Sequence, residues 1–274
     1  MSYEKIAYVV ENSVAIIKLN RPHRKNALDL QMRAELWLAI DRARQDPGVA
    51  ALLLTGMGDD FCSGGDISTM RPGELDAEAG RKRISPVTRG AHMLLELEKP
   101  VIAAVDGCAY GAGFSLALAA DIAIATPRAR FCLSFMRIGL IPDAAALFTL
   151  PRVIGWNRAK HLLYSAEEIN GRTALEYGIV GELVEPANLQ NRAKQIATAM
   201  TQVSPTAFSL SKSALLRTYS SDASAMADME INGQGIAFST QYHDEAAKRF
   251  LNRKPGGYRW PAPLERDGAS SKAD

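Results

Sequence analysis

One run constrains the fold more than any other. Residues 101–125 read Val-Ile-Ala-Ala-Val-Asp-Gly-Cys-Ala-Tyr-Gly-Ala-Gly-Phe-Ser-Leu-Ala-Leu-Ala-Ala-Asp-Ile-Ala-Ile-Ala. Five apolar residues break at Asp106-Gly107 and meet Gly111 and Gly113. A small-residue segment from Phe114 to Ala120 follows, then a second apolar run from Ile122 to Ala125. The pattern predicts strand, tight loop, buried helix, strand. Glycine permits a sharp turn and close approach to the backbone. A helix starting near Gly111 leaves its first amides, Ala112 among them, without intrahelical partners.

A second unit of this kind lies upstream. Val49 to Thr55 reads as a buried strand, followed by Gly56-Met-Gly58 and Phe61-Cys-Ser-Gly-Gly-Asp-Ile67. Two such loops either present one N–H each to a single anionic oxygen or are ordinary turns of an α/β domain. The residues alone leave both readings open.

The chain of 274 residues is long enough for one sizeable core with a small appended subdomain. Its 32 basic and 30 acidic residues balance to +2, which favours neither nucleic acid nor an anionic membrane as partner. Cys62, Cys108 and Cys132 lie in apolar segments without metal-ligand spacing. They suit a reducing cytoplasm. No signal peptide or membrane span is expected, and the expected location is cytoplasmic.

In chain order, Ile6–Val10 and Val14–Leu19 predict a hairpin. Arg21-Pro-His-Arg-Lys-Asn-Ala-Leu28 is a polar turn, by charge alone a solvated loop. Asp29 is read as the N-cap of a helix closing near Asp46-Pro-Gly48. Between Asp66 and Glu98, breakers and a charge run predict a mobile segment over the site, then a helix from about Val87 to Leu97. His92 on that helix reads as a partly buried packing residue ahead of a catalytic one. Asp143, between Pro142 and three alanines, is either a helix N-cap or a base in an apolar pocket. Helices are expected from Leu147 to Tyr164 with a break at Gly155, and at 173–177, 189–200, 205–216, 223–238 and 244–251. A last strand is expected from Ile179 to Val184, and a disordered tail over 265–274.

Several of these segments resemble the enoyl-CoA hydratase/isomerase (crotonase) superfamily. They are Asn20-Arg-Pro22, Asn26-Ala-Leu28, Phe61-Cys-Ser-Gly-Gly-Asp66, Lys99 to Gly113, Ile138-Gly-Leu-Ile-Pro-Asp143 and Leu150-Pro-Arg152. The resemblance spans about Ser13 to Lys254. It implies an α/β crotonase (ClpP/crotonase-like) spiral of repeated ββα units with a C-terminal helical trimerisation region. The CoA-thioester-binding core would be 1–185 and the helical region 186–264. It further implies an acyl-CoA thioester substrate, no separately bound cofactor, no metal, and a homotrimer or dimer of trimers. The N–H groups of Gly65 and Ala112 would hold an enolate oxygen. Arg24, Lys25 and the backbone at Ala27 would meet the CoA phosphates and adenine, with Lys254 and its neighbours Phe250 and Arg253 helping to cover it. Ser63, Asp66, Ile67, Gly111, Ser115 and Phe135 complete the implied substrate-binding set.

The family pattern also bears on the reaction. Ser115 stands where the first hydratase glutamate belongs, and Leu133-Ser-Phe135 replaces the Gln-Pro-Glu around the second. Serine is no base near neutral pH, and phenylalanine has no proton to move. Asp143 is the remaining carboxylate. In that feature the chain is similar to ring-1,2-epoxyphenylacetyl-CoA isomerases and Δ3,Δ2-enoyl-CoA isomerases, where the aspartate is acid and base. Those continue Asp-x-Gly-Gly-Thr, whereas this chain continues Asp143-Ala-Ala-Ala-Leu147. The resemblance therefore implies an isomerase. A hydratase-like enzyme, dehalogenation and a non-catalytic acyl-CoA-binding homologue stand as alternatives.

Overall fold

The structure, a computed structural model, describes residues 3–70, 73 and 75–262; the tail expected to be disordered lies outside them. Asn12 and Ser13 both take left-handed φ, and this two-residue turn pairs β1 (Ile6–Glu11) with β2 (Val14–Leu19). Asp29 caps α1 (Leu30–Gln45), its carboxylate accepting the Met32 amide at 2.8 Å. There follow β3 (Ala51–Gly56), α2 (Ala77–Glu96), β4 (Val101–Val105), β5 (Cys108–Tyr110), α3 (Ala112–Leu118), β6 (Ile122–Ala125) and β7 (Arg130–Cys132). Then come α4 (Ala146–Ile154), α5 (Trp156–Ser165), β8 (Ile169–Asn170), α6 (Gly171–Glu176) and β9 (Glu182–Leu183). The helices α7 (Leu189–Met200), α8 (Pro205–Leu215), α9 (Ala223–Phe238) and α10 (Gln241–Leu251) complete the chain.

The main sheet runs β1-β2-β3-β4-β6-β9, parallel after the first hairpin. Alternation along β3 and β4 explains their continuous apolar character. Leu52, Leu54, Ala103 and Val105 join the cluster under α1 and α3. Ala51, Leu53, Ile102 and Ala104 face Leu189, Ala193, Ile196 and Ala197 of α7. A parallel sheet covered on both faces needs apolar residues at every position. The first helix of the region expected from 186 thus packs on the sheet itself. A second sheet, β5-β7-β8, sets β5 parallel to β7. No described helix is long and apolar enough to cross a membrane.

Three expectations change. The helix expected from Val87 begins at Ala77, capped by Asp76 on the Ala79 amide. Pro86 lies inside it, exposed. Its missing N–H interrupts one bond, while Val87, Ala91 and Leu94 keep the inner face packed. The last strand shrinks to two residues. The short strand β5 was not anticipated, because three residues carry too little pattern.

Polar anchors fix the later helices. Arg192, fully buried on α7, pairs with Glu182 and donates to the carbonyls of Pro261 and Ala262. Lys212 of α8 reaches Asp121 at 2.8 Å, beside the end of α3.

Candidate active site

The turn before α1 is locked from inside. Lys25 and Asn26 adopt left-handed φ, and Asn26 is fully buried. Its side chain accepts from the Arg21 amide at 2.8 Å and donates to the carbonyls of Met57 at 3.0 Å and Asp60 at 2.7 Å. One amide group thus joins the turn to the loop after β3. Arg24 and Lys25 stay exposed, with no ion pair to another described residue.

The same turn holds the Phe61–Asp66 loop. The Ser63 amide donates to Lys25 O at 2.9 Å and its hydroxyl to Arg24 O at 3.3 Å. The Leu28 amide donates to Gly64 O, and the Asp66 amide donates to Leu28 O. These bonds flank Gly65, so its own N–H points away from Leu28. Among the described residues neither the Gly65 N–H nor the Ala112 N–H has a hydrogen-bond partner.

The two loops meet at van der Waals distance. Gly64 has φ 92, and a Cβ there would lie 2.7 Å from Tyr110 O and 3.5 Å from Ala112 N. A Cβ on Gly113 would strike Cys62 O at 2.2 Å. Cys62 bonds to two residues of β5 across the seam: the Tyr110 amide donates to Cys62 O, and the Cys62 amide donates to Cys108 O. Gly111 is anchored by its amide on Cys132 O. Two unpartnered donors therefore sit on adjoining loops, and an oxyanion hole is built from such a pair.

Asp143 is no helix cap. Its carboxylate caps nothing, and α4 begins three residues later behind Ala145. Ala144 and Ala145 hold left-handed φ of 49 and 66. An L-residue there carries a cost of about 1 kcal/mol or more, and of the two only Ala145 stands where the isomerase pattern has glycine. The Asp143 Oδ1 is buried without a partner. Burial pushes its pKa up to about 6, with Arg33 and its own backbone amide pulling it back.

The remaining implied residues divide. Phe135 is buried, its ring tip 3.7 Å from where a Cβ on Gly111 would stand. Ser115 is fully buried and its hydroxyl donates back to Gly111 O at 3.2 Å, a bond within the helix. Asp66 accepts from Ser68 and Arg21, and these bonds hold its carboxyl below the usual range. The side chains of Ser63 and Asp66 are thus occupied within the protein, while Ile67 is exposed beside them. Lys254 is exposed beyond α10, and no hydrogen bond or ion pair joins its side chain to either glycine loop among the described residues. His92 is exposed, against the packing role expected of it, because Val87, Ala91 and Leu94 define the other face of α2. The three cysteines are free and buried, and burial pushes Cys62 and Cys108 up to about 12, which removes them as nucleophiles.

Two arginines at the site escaped the sequence reading. Arg33 of α1 is buried, its Nε donating to Leu28 O at 3.1 Å. Its Nη2 stands 2.9 Å from where a Cβ on Gly65 would be. Arg83 of α2 donates to the Thr69 hydroxyl. A signal existed for the first: Arg33 interrupts a face carrying Met32, Leu36, Ala39 and Ile40.

Comparison with known proteins bears on the family and the fold. The family model described as enoyl-CoA hydratase/isomerase matches residues 9–259. A short-chain-enoyl-CoA hydratase of Clostridium acetobutylicum is 35% identical over 93% of this chain and 97% of its own. The 1,2-epoxyphenylacetyl-CoA isomerase of Escherichia coli is 32% identical over 89% of this chain and 94% of its own. A crystal structure of an enoyl-CoA hydratase/isomerase from Cupriavidus metallidurans superposes with a TM-score of 0.91 at 38% identity, covering 96% of this chain and 99% of that one. Fold, glycine loops and family match coincide: the chain belongs to the enoyl-CoA hydratase/isomerase family and has the crotonase fold.

Proposed function

We propose that this family member isomerises acyl-CoA thioesters through an enolate, with Asp143 as the single acid and base. The observation that carries the reading is the Asp143 carboxylate, whose Oδ1 is buried without a partner and whose pKa burial pushes up to about 6. A base is most useful when its pKa lies near the working pH. The thioester oxygen would accept the N–H groups of Gly65 and Ala112. Asp143 takes a proton from the α- or γ-carbon, charge collects on the oxygen as an enolate or dienolate, and the same carboxyl returns the proton to the other carbon. An epoxyaryl acyl group would draw on the same oxyanion donors. Hydration would need a second acid, and neither the back-bonded Ser115 nor Phe135 supplies one.

The direct test offers 3-enoyl- and epoxyaryl-CoA thioesters in deuterium oxide. Isomerisation with deuterium entering the product is expected, with little hydration of crotonyl-CoA. Brisk hydration, or acyl-CoA binding without exchange, would overturn the proposal.

CoA would lie along the turn holding Arg24, Lys25 and Ala27. Replacing both cations by Gln is expected to raise the Kd for CoA about tenfold and to flatten its salt dependence, leaving kcat nearly unchanged. An unchanged Kd would make the turn merely solvated. Self-association as a homotrimer or dimer of trimers belongs to the same reading, and the exposure of Ile231, Phe238, Phe250 and Leu251 supports it.

A further inference from the structure

We propose that Arg33 and Arg83, which meet beside the Gly65–Met70 segment, recognise a carboxylate on the acyl chain, making short dicarboxylic acyl thioesters the preferred substrate class. The inference rests on the acyl-CoA reading above and narrows it.

The two guanidiniums approach the same segment, residues 65–70, from different helices. Arg33 comes from α1 and abuts Gly65. Arg83 comes from α2 and donates to Thr69, whose hydroxyl is itself bonded to Asp66 O at 2.7 Å. Each keeps one buried donor without a partner, Nη1 of Arg33 and Nε of Arg83. Arg33 is only 7% exposed. After burial, Arg83 is the largest influence lowering the Arg33 pKa, so the like charges are close.

The nearby carboxylates offset them only in part: Asp143 and Asp29 act on Arg33 through space, without an ion pair to it. Asp29 caps α1 and pairs with Arg21 at 3.2 Å. Asp66 pairs with Arg21 at 3.0 Å and with Ser68. Asp143 makes no ion pair with either arginine among the described residues. Buried donors left unpaired are costly, and a planar guanidinium matches a carboxylate in charge and geometry. An alkyl acyl chain would leave both donors unpaired, whereas a carboxylate on the chain would engage them.

The test compares succinyl-CoA with butyryl-CoA by titration calorimetry on the full chain. Wild-type protein is expected to bind succinyl-CoA at least about tenfold tighter, equivalent to roughly 1.4 kcal/mol. Arg83→Met should bring the two affinities within about threefold by weakening succinyl-CoA. Arg33→Met should do the same, and if it fails to fold, Arg83→Met on the half-buried face of α2 decides alone. Equal or better binding of butyryl-CoA by the wild type, or an unchanged preference in Arg83→Met, overturns the assignment. Equal binding of both thioesters sinks only the arginine site, whereas binding of neither sinks the acyl-CoA reading as well.

Discussion

Asp143→Asn is expected to lower isomerisation and α- or γ-hydrogen exchange by ~10²–10⁴-fold, the usual effect of removing a positioned general base. The change is nearly isosteric and breaks no cap, since the carboxylate caps nothing and its Oδ1 has no partner. The folded pKa, about 6, lies above the ordinary carboxylate value. The fold therefore binds this proton more tightly than the unfolded chain does. The stabilisation that follows is fully present below about pH 4 and is lost as the pH rises through 6. Asparagine never ionises. The variant should therefore match the wild type in acid and exceed it at pH 7, by roughly 2–3 kcal/mol for a pKa raised from 3.8 to about 6. Wild-type kcat/KM should also fall on the acid side of about pH 6, as the base of the free enzyme becomes protonated. Thermal melts on the assayed samples check the first claim, and a pH–rate profile checks the second. Undiminished isomerisation by the asparagine variant would remove Asp143 from the mechanism.

Gly64→Ala is expected to cost ~10²–10³-fold in kcat through the proposed oxyanion donors, although residue 64 supplies neither of them. The new methyl would stand 2.7 Å from Tyr110 O, and φ 92 is strained for alanine. The two loops must part, and a displacement near one ångström costs about 10²-fold when donors must converge. Gly178→Ala is the control. Its φ of 74 carries similar strain, but nothing lies within 4 Å of the added methyl. Both variants should lose stability, by about 1 kcal/mol or more, and only Gly64→Ala should lose turnover. Wild-type kcat in Gly64→Ala would show that the loop seam does not position the reaction.

Much of the scaffold was legible before any coordinates. The first hairpin, the Asp29 cap, the strand–loop–helix unit after Val101, the break at Gly155 and most C-terminal helices are where their patterns place them. Each depends on residues within a turn or two, so the information is local. The segment before Val87 misled for the same reason: its breakers speak locally, while the Asp76 cap starts α2 at Ala77 and buried residues from Val87 onward anchor its second half.

The sequence by itself determined the family, the two glycine loops and the identity of the remaining carboxylate, Asp143. Glycine's freedom at positive φ and the absence of acids at positions 115 and 135 are properties of residue type. Tertiary structure alone decided what those residues experience. Asn26 reaches loop residues more than 30 positions away. Ser115, fully buried, turns its hydroxyl back into its own helix. The Asp143 Oδ1 is buried without a partner because α4 starts beyond it and no ion pair joins it to Arg33. Burial and partnership are sums over neighbours distant in sequence, and desolvation, which sets the charge of this pocket, arises only once the chain has closed around it.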